Sequence, residues 1–218
     1  MCKELTHDQI KNLYSYFLQY PENFHGESAS AYLLRLTSKY IKGKVVDFGA
    51  GTGALIKLIP GAIGIDLNEV PERNVIAMDI VKTDFPDGMF QTLFCSEVIE
   101  HLPSENVIKA LKEIYRVLSP DSYAIFTTPY KENLLLSMAH CPICSTTFHL
   151  HGHVRKIDEK FMKDHLSAVG FKIKEIMVEP INIFAHVNRF SRLLRRLMMK
   201  YTKRWDNQRN LIVIAYKK

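Results

Sequence analysis

Residues 44–55 read KVVDFGAGTGAL. Val45 and Val46 are β-branched and favour a pleated strand. Gly49, Gly51 and Gly53 then alternate through a turn, and the apolar ALIKLI (54–59) has helical spacing. Glycine lets a backbone turn sharply and approach a ligand with no Cβ in the way. The stretch therefore predicts strand, ligand-binding turn and helix, with Asp47 at the entrance to the turn.

The same change of period recurs along the chain. AIGID (62–66), NVIAMD (74–79), MFQTLFC (89–95), SYAIFTT (122–128), FKIKEIMVE (171–179) and LIVIAYKK (211–218) are short apolar runs that predict strands. Helical periodicity marks DQIKNLYSYFLQY (8–20, with Thr6 as a cap), ESASAYLLRLTSKYI (27–41) and SENVIKALKEIYRVL (104–118, with Ser104 as N-cap). It also marks DEKFMKDHLSAVG (158–170), which stops at Gly170. Strands alternating with helices predict an α/β sheet covered on both faces.

At 218 residues and 47% hydrophobic content the chain can bury one core. It divides into N-terminal helices (1–42), the body of one domain, an insert (130–156) and a basic amphipathic helix (185–205). No apolar run reaches membrane-spanning length, and MCKELTHDQI lacks the apolar block of a secretory signal, so a cytoplasmic protein is expected. The net charge of +6 is concentrated: seven Lys/Arg and no acid lie between Arg189 and Arg204. At helical spacing Phe190, Leu193, Leu194 and Leu197 share a face opposite Arg192, Arg195 and Arg196. Such a helix packs on a sheet with its basic face in water, contacts an anionic membrane at its periphery, or tracks nucleic-acid phosphates.

The acids around the glycine turn specify its ligand. GAGTGA satisfies a loose dinucleotide-binding spelling, but Asp47 would repel a pyrophosphate and suits a ligand carrying an amino group and a sulfonium cation. Asp66 ends the second strand, where a carboxylate can take both ribose hydroxyls. Asp79 ends the third, within reach of a base edge. With VVDFGAGTG, GID, AMDI, CSEVIEHLP and TTPY in this order, the chain resembles the class I S-adenosylmethionine-dependent methyltransferases over residues 43–130, and more loosely through GHVRKID and FMKDHLSAVGF. The resemblance implies a Rossmann-like, doubly wound, seven-stranded, mostly parallel sheet with N-terminal helices. It implies that Asp47, Gly49, Gly51 and Gly53 engage the methionine part, Asp66 the ribose, and Asp79 with Ile80 the adenine, with Ser96 on the cofactor side. SPDSY (119–123) stands where the family usually has a glycine turn.

Methyl transfer is an in-line displacement, accelerated by alignment and by a base where a proton must leave. His101, in SEVIEHLP, is the candidate base, with Glu97 and Glu100 beside it. The acceptor expected is an oxygen or nitrogen of a small molecule or glycan intermediate. Glu97, Glu100 and His101 also spell the E-x-x-E-H of small-RNA 3′-terminal 2′-O-methyltransferases. There the resemblance implies a divalent cation completed by a downstream histidine. A non-catalytic binder that keeps the cofactor pocket is a third class.

HCPICSTTFHLHGH (140–153) lies in the long stretch after the fifth strand. Cys141, Cys144, His149 and His153 have a spacing suited to tetrahedral zinc, with His140 and His151 as substitutes. The expectation is a structural zinc that staples the insert as one wall of the acceptor pocket. Cys95, in an apolar run, reads as a small buried filler.

Overall fold

A computed structural model describes residues 6–19, 26–181 and 209–218. Strands β1 (Val45–Phe48), β2 (Ile63–Asp66), β3 (Val75–Ala77), β4 (Phe90–Ser96) and β5 (Leu118–Pro129) pair in parallel. The hairpin strands β6 (Met138–His140) and β7 (Thr147–His149) form a separate two-stranded sheet. Strands β8 (Lys172–Glu179) and β9 (Asn210–Lys217) complete the main sheet, β9 running antiparallel to both β5 and β8. The order is β3-β2-β1-β4-β5-β9-β8, a seven-stranded, mostly parallel sheet. All seven predicted strands are present. The order reverses direction between β1 and β4, and crevices at such a switch point bind ligands at the carboxyl ends of the strands.

Two apolar clusters sandwich the sheet. On one face α3 (Ser104–Val117) and α4 (Glu159–Ala168) bring Val107, Leu111, Ile114 and Leu166 against Val46, Phe48, Leu93 and Phe126. On the other, α2 (Gly26–Thr37) brings Tyr32 and Leu33 to Val45, Phe94 and Ile125. Alternate residues of β1, β4 and β5 serve opposite clusters, as the pleat dictates. The first helix, α1 (His7–Gln19), starts with a reciprocal cap: the Gln9 amide donates to Thr6 Oγ1, and the Thr6 amide to Gln9 Oε1.

Three local expectations need correction. ALIKLI yields only a 3-10 turn, Ile56–Leu58, because Pro60 forces Ile59 into extended backbone six residues after the last loop glycine. Pro103, not Ser104, is the N-cap of α3, and the Ser104 hydroxyl instead accepts from Arg155 at 3.5 Å. Asp79 lies two residues past the end of β3. Asp158 caps α4, accepting from the Phe161 amide, and Gly170 follows its end at φ +102°. In SPDSY, Asp121 takes the left-handed position (φ +59°) that glycine usually fills.

No helix covers residues 78–89; that connection is clamped by α3 instead. Buried Glu113 accepts from the Thr83 amide and hydroxyl at 2.7 and 2.6 Å, and Arg116 reaches the Phe85 carbonyl and Asp87. The insert is likewise tied at its neck: Tyr130 bridges Ile157, and the Lys131 amide donates to the Ile157 carbonyl. Between these ends the β6–β7 hairpin stands on the carboxyl edge of the sheet. The predicted basic helix lies outside the described residues. Among the described residues no helix is long and apolar enough to cross a membrane.

Candidate active site

One cavity of about 1070 Å³ runs along the switch point, from Asp79 and Ile80 past the glycine turn to His101, Glu132 and His153. Asp47, Gly49, Gly51, Asp66, Asp79, Ile80 and Ser96 line its first half, whereas Gly53, expected beside them, does not: a Cβ there would meet Arg73 and Val75, so this glycine serves packing. Asp47 is 3% exposed, and its Oδ1 has no hydrogen-bond partner. Burial, with the Asp66 charge adding, pushes its carboxyl up to about 7. An unpaired buried acceptor of this kind needs a cation or donor. Asp66 accepts the Gly51 amide through Oδ2 at 2.9 Å and the Asn68 amide through Oδ1 at 3.3 Å; burial still holds its carboxyl above the usual range. Asp79 accepts the Val81 amide at 3.0 Å, beside buried Ile80. The Ser96 hydroxyl, also lining the cavity, is buried without a partner.

The glycines do two different things. A Cβ on Gly49 (φ +79°) would lie 2.3 Å from Val98 Cγ2, so this glycine serves packing. A Cβ on Gly51 (φ +52°) would meet nothing within 4 Å, because Gly51 opens onto the cavity. Asp47, Ser96, Asp66 and the open face at Gly51 together fit S-adenosylmethionine: an acceptor for its ammonium, a carboxylate for its ribose, and room for its backbone-sized linker.

The second half is built from three segments distant in sequence. Glu97 follows β4 with a left-handed backbone (φ +56°), unusual for a side chain of its size. Its Oε1 accepts from the Thr127 hydroxyl at 2.7 Å and Asn210 Nδ2 at 3.1 Å, which binds the ends of β4, β5 and β9 together. Glu97 lines the cavity and is solvent-accessible, whereas Glu100 is 1% exposed, neither carboxylate oxygen hydrogen-bonded and Oε1 3.9 Å from His101 Nε2. Burial, and then Glu97, drives the Glu100 carboxyl well above the ordinary range. His101 is buried too, and burial followed by the neighbouring His153 holds its imidazole well below the ordinary value. Both its ring nitrogens lie near the Tyr14 hydroxyl of α1, at 3.0 and 2.8 Å. The edge through which His101 would take a proton is thus occupied by Tyr14.

The insert delivers the third segment. The Val154 amide donates to the Glu100 carbonyl, which sets the His153 ring 4.6 Å from His101. Glu100, His101 and His153 each bring one donor atom within 4.8 Å of the others, and so do Glu132, His149 and His153. Glu97 belongs to neither group, so the four-residue cation set of the RNA-enzyme spelling is assembled only in part.

Neither cysteine joins these histidines. In the hairpin Met138 stands opposite His149 and His140 opposite Thr147, so Cys141 and Cys144 occupy the turn beyond. Two residue steps along a strand are roughly 7 Å. Cys144 hydrogen-bonds Thr146 Oγ1 at 3.3 Å and is exposed, whereas His149 is buried at the hairpin base. The predicted zinc set of Cys141, Cys144, His149 and His153 is therefore not brought together: the histidines turn toward carboxylates. Cys95 is buried, as expected.

Tyr14, Thr127, Glu132 and Asn210 were not singled out from the sequence. Only Glu132 carried a signal, as an acid shortly after TTPY; the others acquire meaning through packing.

A profile of the methyltransferase domain family matches residues 20–176. The chain belongs to that family and is an S-adenosylmethionine-dependent methyltransferase. Comparison with curated proteins gives no match. Solved structures share the fold at low identity. One is an S-adenosylmethionine-dependent methyltransferase from Archaeoglobus fulgidus (20% identity, 93% of this chain, 100% of that one, TM-score 0.64). Another is an S-adenosylmethionine-dependent methyltransferase from Mesorhizobium loti (16%, 87% and 98%, 0.62). A third, 1,6-didemethyltoxoflavin-N1-methyltransferase from Burkholderia thailandensis, holds 1,6-didemethyltoxoflavin and S-adenosylhomocysteine (16%, 100% and 93%, 0.66).

Proposed function

We propose that the chain methylates an oxygen or nitrogen of a small molecule or compact glycan intermediate. The observation that carries this reading is the roof over the cavity. Helix α1 lies across the acceptor half, with Tyr14 on His101 and the Ser15 hydroxyl donating to Asn68 at 2.9 Å, just past the ribose acid. Ile10 and Tyr14 on one side and the insert on the other wall the space. A roofed cavity suits a compact acceptor better than a polymer threading through an open groove. The Burkholderia neighbour, of the same fold, holds 1,6-didemethyltoxoflavin beside S-adenosylhomocysteine.

When bound, S-adenosylmethionine supplies an electrophilic methyl group on a sulfonium. The chain's residues do the rest. Asp47, Asp66 and the open Gly51 backbone fix one end of the line; Glu97, locked by Thr127 and Asn210, helps shape the other. Holding nucleophile and methyl in line supplies much of the rate. Labelled S-adenosylmethionine, incubated separately with a panel of phenols, sugars and heteroaromatic amines and with a short RNA, tests the reading. Label in a small molecule without added metal supports it. Label only in RNA, strictly requiring Mn²⁺, would overturn it.

A further inference from the structure

The insert carries the three most exposed large apolar side chains among the described residues. Ile143, Leu135 and Leu136 are 93%, 80% and 68% exposed, and Leu150 is exposed as well. Their backbone is held in place. Leu135 and Leu136 stand in a 3-10 turn (Leu134–Ser137) capped by Asn133, whose side chain accepts the Leu135 amide and whose carbonyl accepts the Leu136 amide. The Leu150 amide donates to the Ser137 carbonyl at 2.8 Å, which brings Leu150 to the same turn. Ile143 lies at the tip of the β6–β7 hairpin, inside the turn closed by the Cys141 amide on the Thr146 carbonyl. Bulky apolar side chains gathered on one projecting element and fixed in water mark an interaction surface.

The charge around them identifies the partner. From Asn133 to Ile157 the chain has no acid, and its only formal charges are Arg155 and Lys156. The root of the insert adjoins the connection between β8 and β9. The Tyr130 amide donates to the Arg209 carbonyl at 2.8 Å, and Asn210 stands between Pro129 and Glu179 in the sheet. The sequence of that connection contains the seven Lys/Arg of 189–204. One edge of the sheet thus sends out an apolar, acid-free segment and a strongly basic one. A second copy of the chain would bring two such basic segments together, against their mutual repulsion. An anionic bilayer satisfies both: headgroups for the cations, and an acyl boundary for the aliphatic side chains.

We propose that the insert docks this protein on an anionic lipid bilayer, with Leu135, Leu136, Ile143 and Leu150 entering the boundary between headgroups and acyl chains. Each strand of the hairpin has three residues. That is a length of roughly 10 Å, so a hairpin lying along the surface brings turn and tip to it together. Glu132 and His153, on the same insert, line the acceptor half of the cavity, and docking sets that half beside the bilayer. Docking requires no particular acceptor and leaves the cofactor half as it is.

Co-sedimentation of the full chain with lipid vesicles tests this. Wild type should pellet with vesicles of equal phosphatidylcholine and phosphatidylglycerol, far less with phosphatidylcholine alone, and less as salt is raised. Burying one aliphatic side chain is worth about tenfold or more in partitioning. The triple variant Leu135→Ser, Leu136→Ser, Ile143→Ser should therefore bind the mixed vesicles at least about tenfold more weakly. Its S-adenosylmethionine affinity should stay within about twofold of wild type, which shows that the fold is intact. Leu58→Ser with Ile76→Ser removes exposed apolar side chains elsewhere and should bind vesicles as wild type does. A wild type that stays in the supernatant, or a triple variant that pellets as well as wild type, would overturn the proposal. A wild-type dimer that the triple variant splits, with no vesicle bound by either, would give the surface to a second copy instead.

Discussion

The two halves of the cavity are made in different ways. The cofactor half comes mostly from the thirty-odd consecutive residues from Asp47 to Ile80, in which an acid or a glycine stands at or just past the end of each strand, with Ser96 added from the end of β4. Its geometry is mostly backbone: Gly49 packs on Val98, Gly51 leaves space, and Asp66 is held by the Gly51 amide. The acceptor half draws on α1, the end of β4, the end of β5, the insert and β9. Its geometry is mostly side chain to side chain: Tyr14 to His101, Asn210 to Glu97, His153 to Glu132. Local backbone sites are specified by motif, whereas convergent side-chain sites are specified by the whole fold.

The sharpest way to break this comparison is to remove Asp66, the acid expected to hold the ribose. Two hydrogen bonds to a charged group are worth roughly 3 kcal/mol or more together, or about 100-fold in affinity. Asp66→Ala should weaken S-adenosylmethionine binding by about that factor in calorimetry while the protein still unfolds cooperatively. An unchanged affinity would mean that the cofactor half is misread.

The glycines provide a paired test. Gly49→Ala places a Cβ 2.3 Å from Val98 at a positive φ, so stability should fall by about 1–3 kcal/mol in denaturant titration. Gly51→Ala meets no atom within 4 Å and takes a φ that costs roughly 1 kcal/mol. Its main effect should be on cofactor affinity, about tenfold or more. If both variants lose stability equally, Gly51 serves packing rather than the ligand.

What the sequence disclosed follows the same division. Seven strands and the gathering of Asp47, Asp66 and Asp79 beside one cavity were legible because short apolar runs and the acids at or just past their ends are local signals. Helix α3 was legible from its amphipathic repeat. ALIKLI misled because helical spacing says nothing about length, and Pro60 leaves no room for a second turn. The cysteine–histidine spacing is a different kind of signal: spacing along a chain becomes ligand geometry only if the hairpin register allows it. Here the register puts the cysteines at the tip and His149 at the base. Glu132 meets His153 only because residue 153 returns beside residue 101, held there by the Val154 amide on the Glu100 carbonyl.

Asp47 gives a smaller, graded effect. Its carboxyl, raised to about 7 by burial and Asp66, is protonated in the free protein below that pH. A cationic ammonium binds the carboxylate, so complex formation below about pH 7 must release a proton. Affinity should therefore be flat above pH 7 and fall toward tenfold per unit below it. For the free protein the sign is opposite. A carboxyl whose folded value exceeds its unfolded one contributes stability that is lost as pH rises from about 4 toward 7. Thermal unfolding across that range, with and without cofactor, should show the cofactor's stabilisation growing with pH. A pH-independent affinity between 6 and 8 would mean that Asp47 does not meet the ammonium.

The smallest effect is expected where the sequence suggested a large one. Cys141 and Cys144 sit on an exposed turn held by backbone bonds, the Cys141 amide to the Thr146 carbonyl and the Ser145 amide to the Cys141 carbonyl, both 2.9 Å. The thiols are not needed for those bonds, and serine has nearly the same shape. The side chains that anchor the insert, Arg155 on the Leu102 carbonyl and Glu132 on His153, lie at its neck and base. A Cys141→Ser, Cys144→Ser double variant should therefore unfold within about 1 kcal/mol of wild type, as surface changes away from special features usually do. Its cofactor affinity should be unchanged. Elemental analysis of untagged protein completes the test. One zinc per chain, lost in the double variant together with folding of the insert, would show that the histidines swing outward to the cysteines. The acceptor half would then owe its wall to a metal rather than to the Glu132 hydrogen bonds.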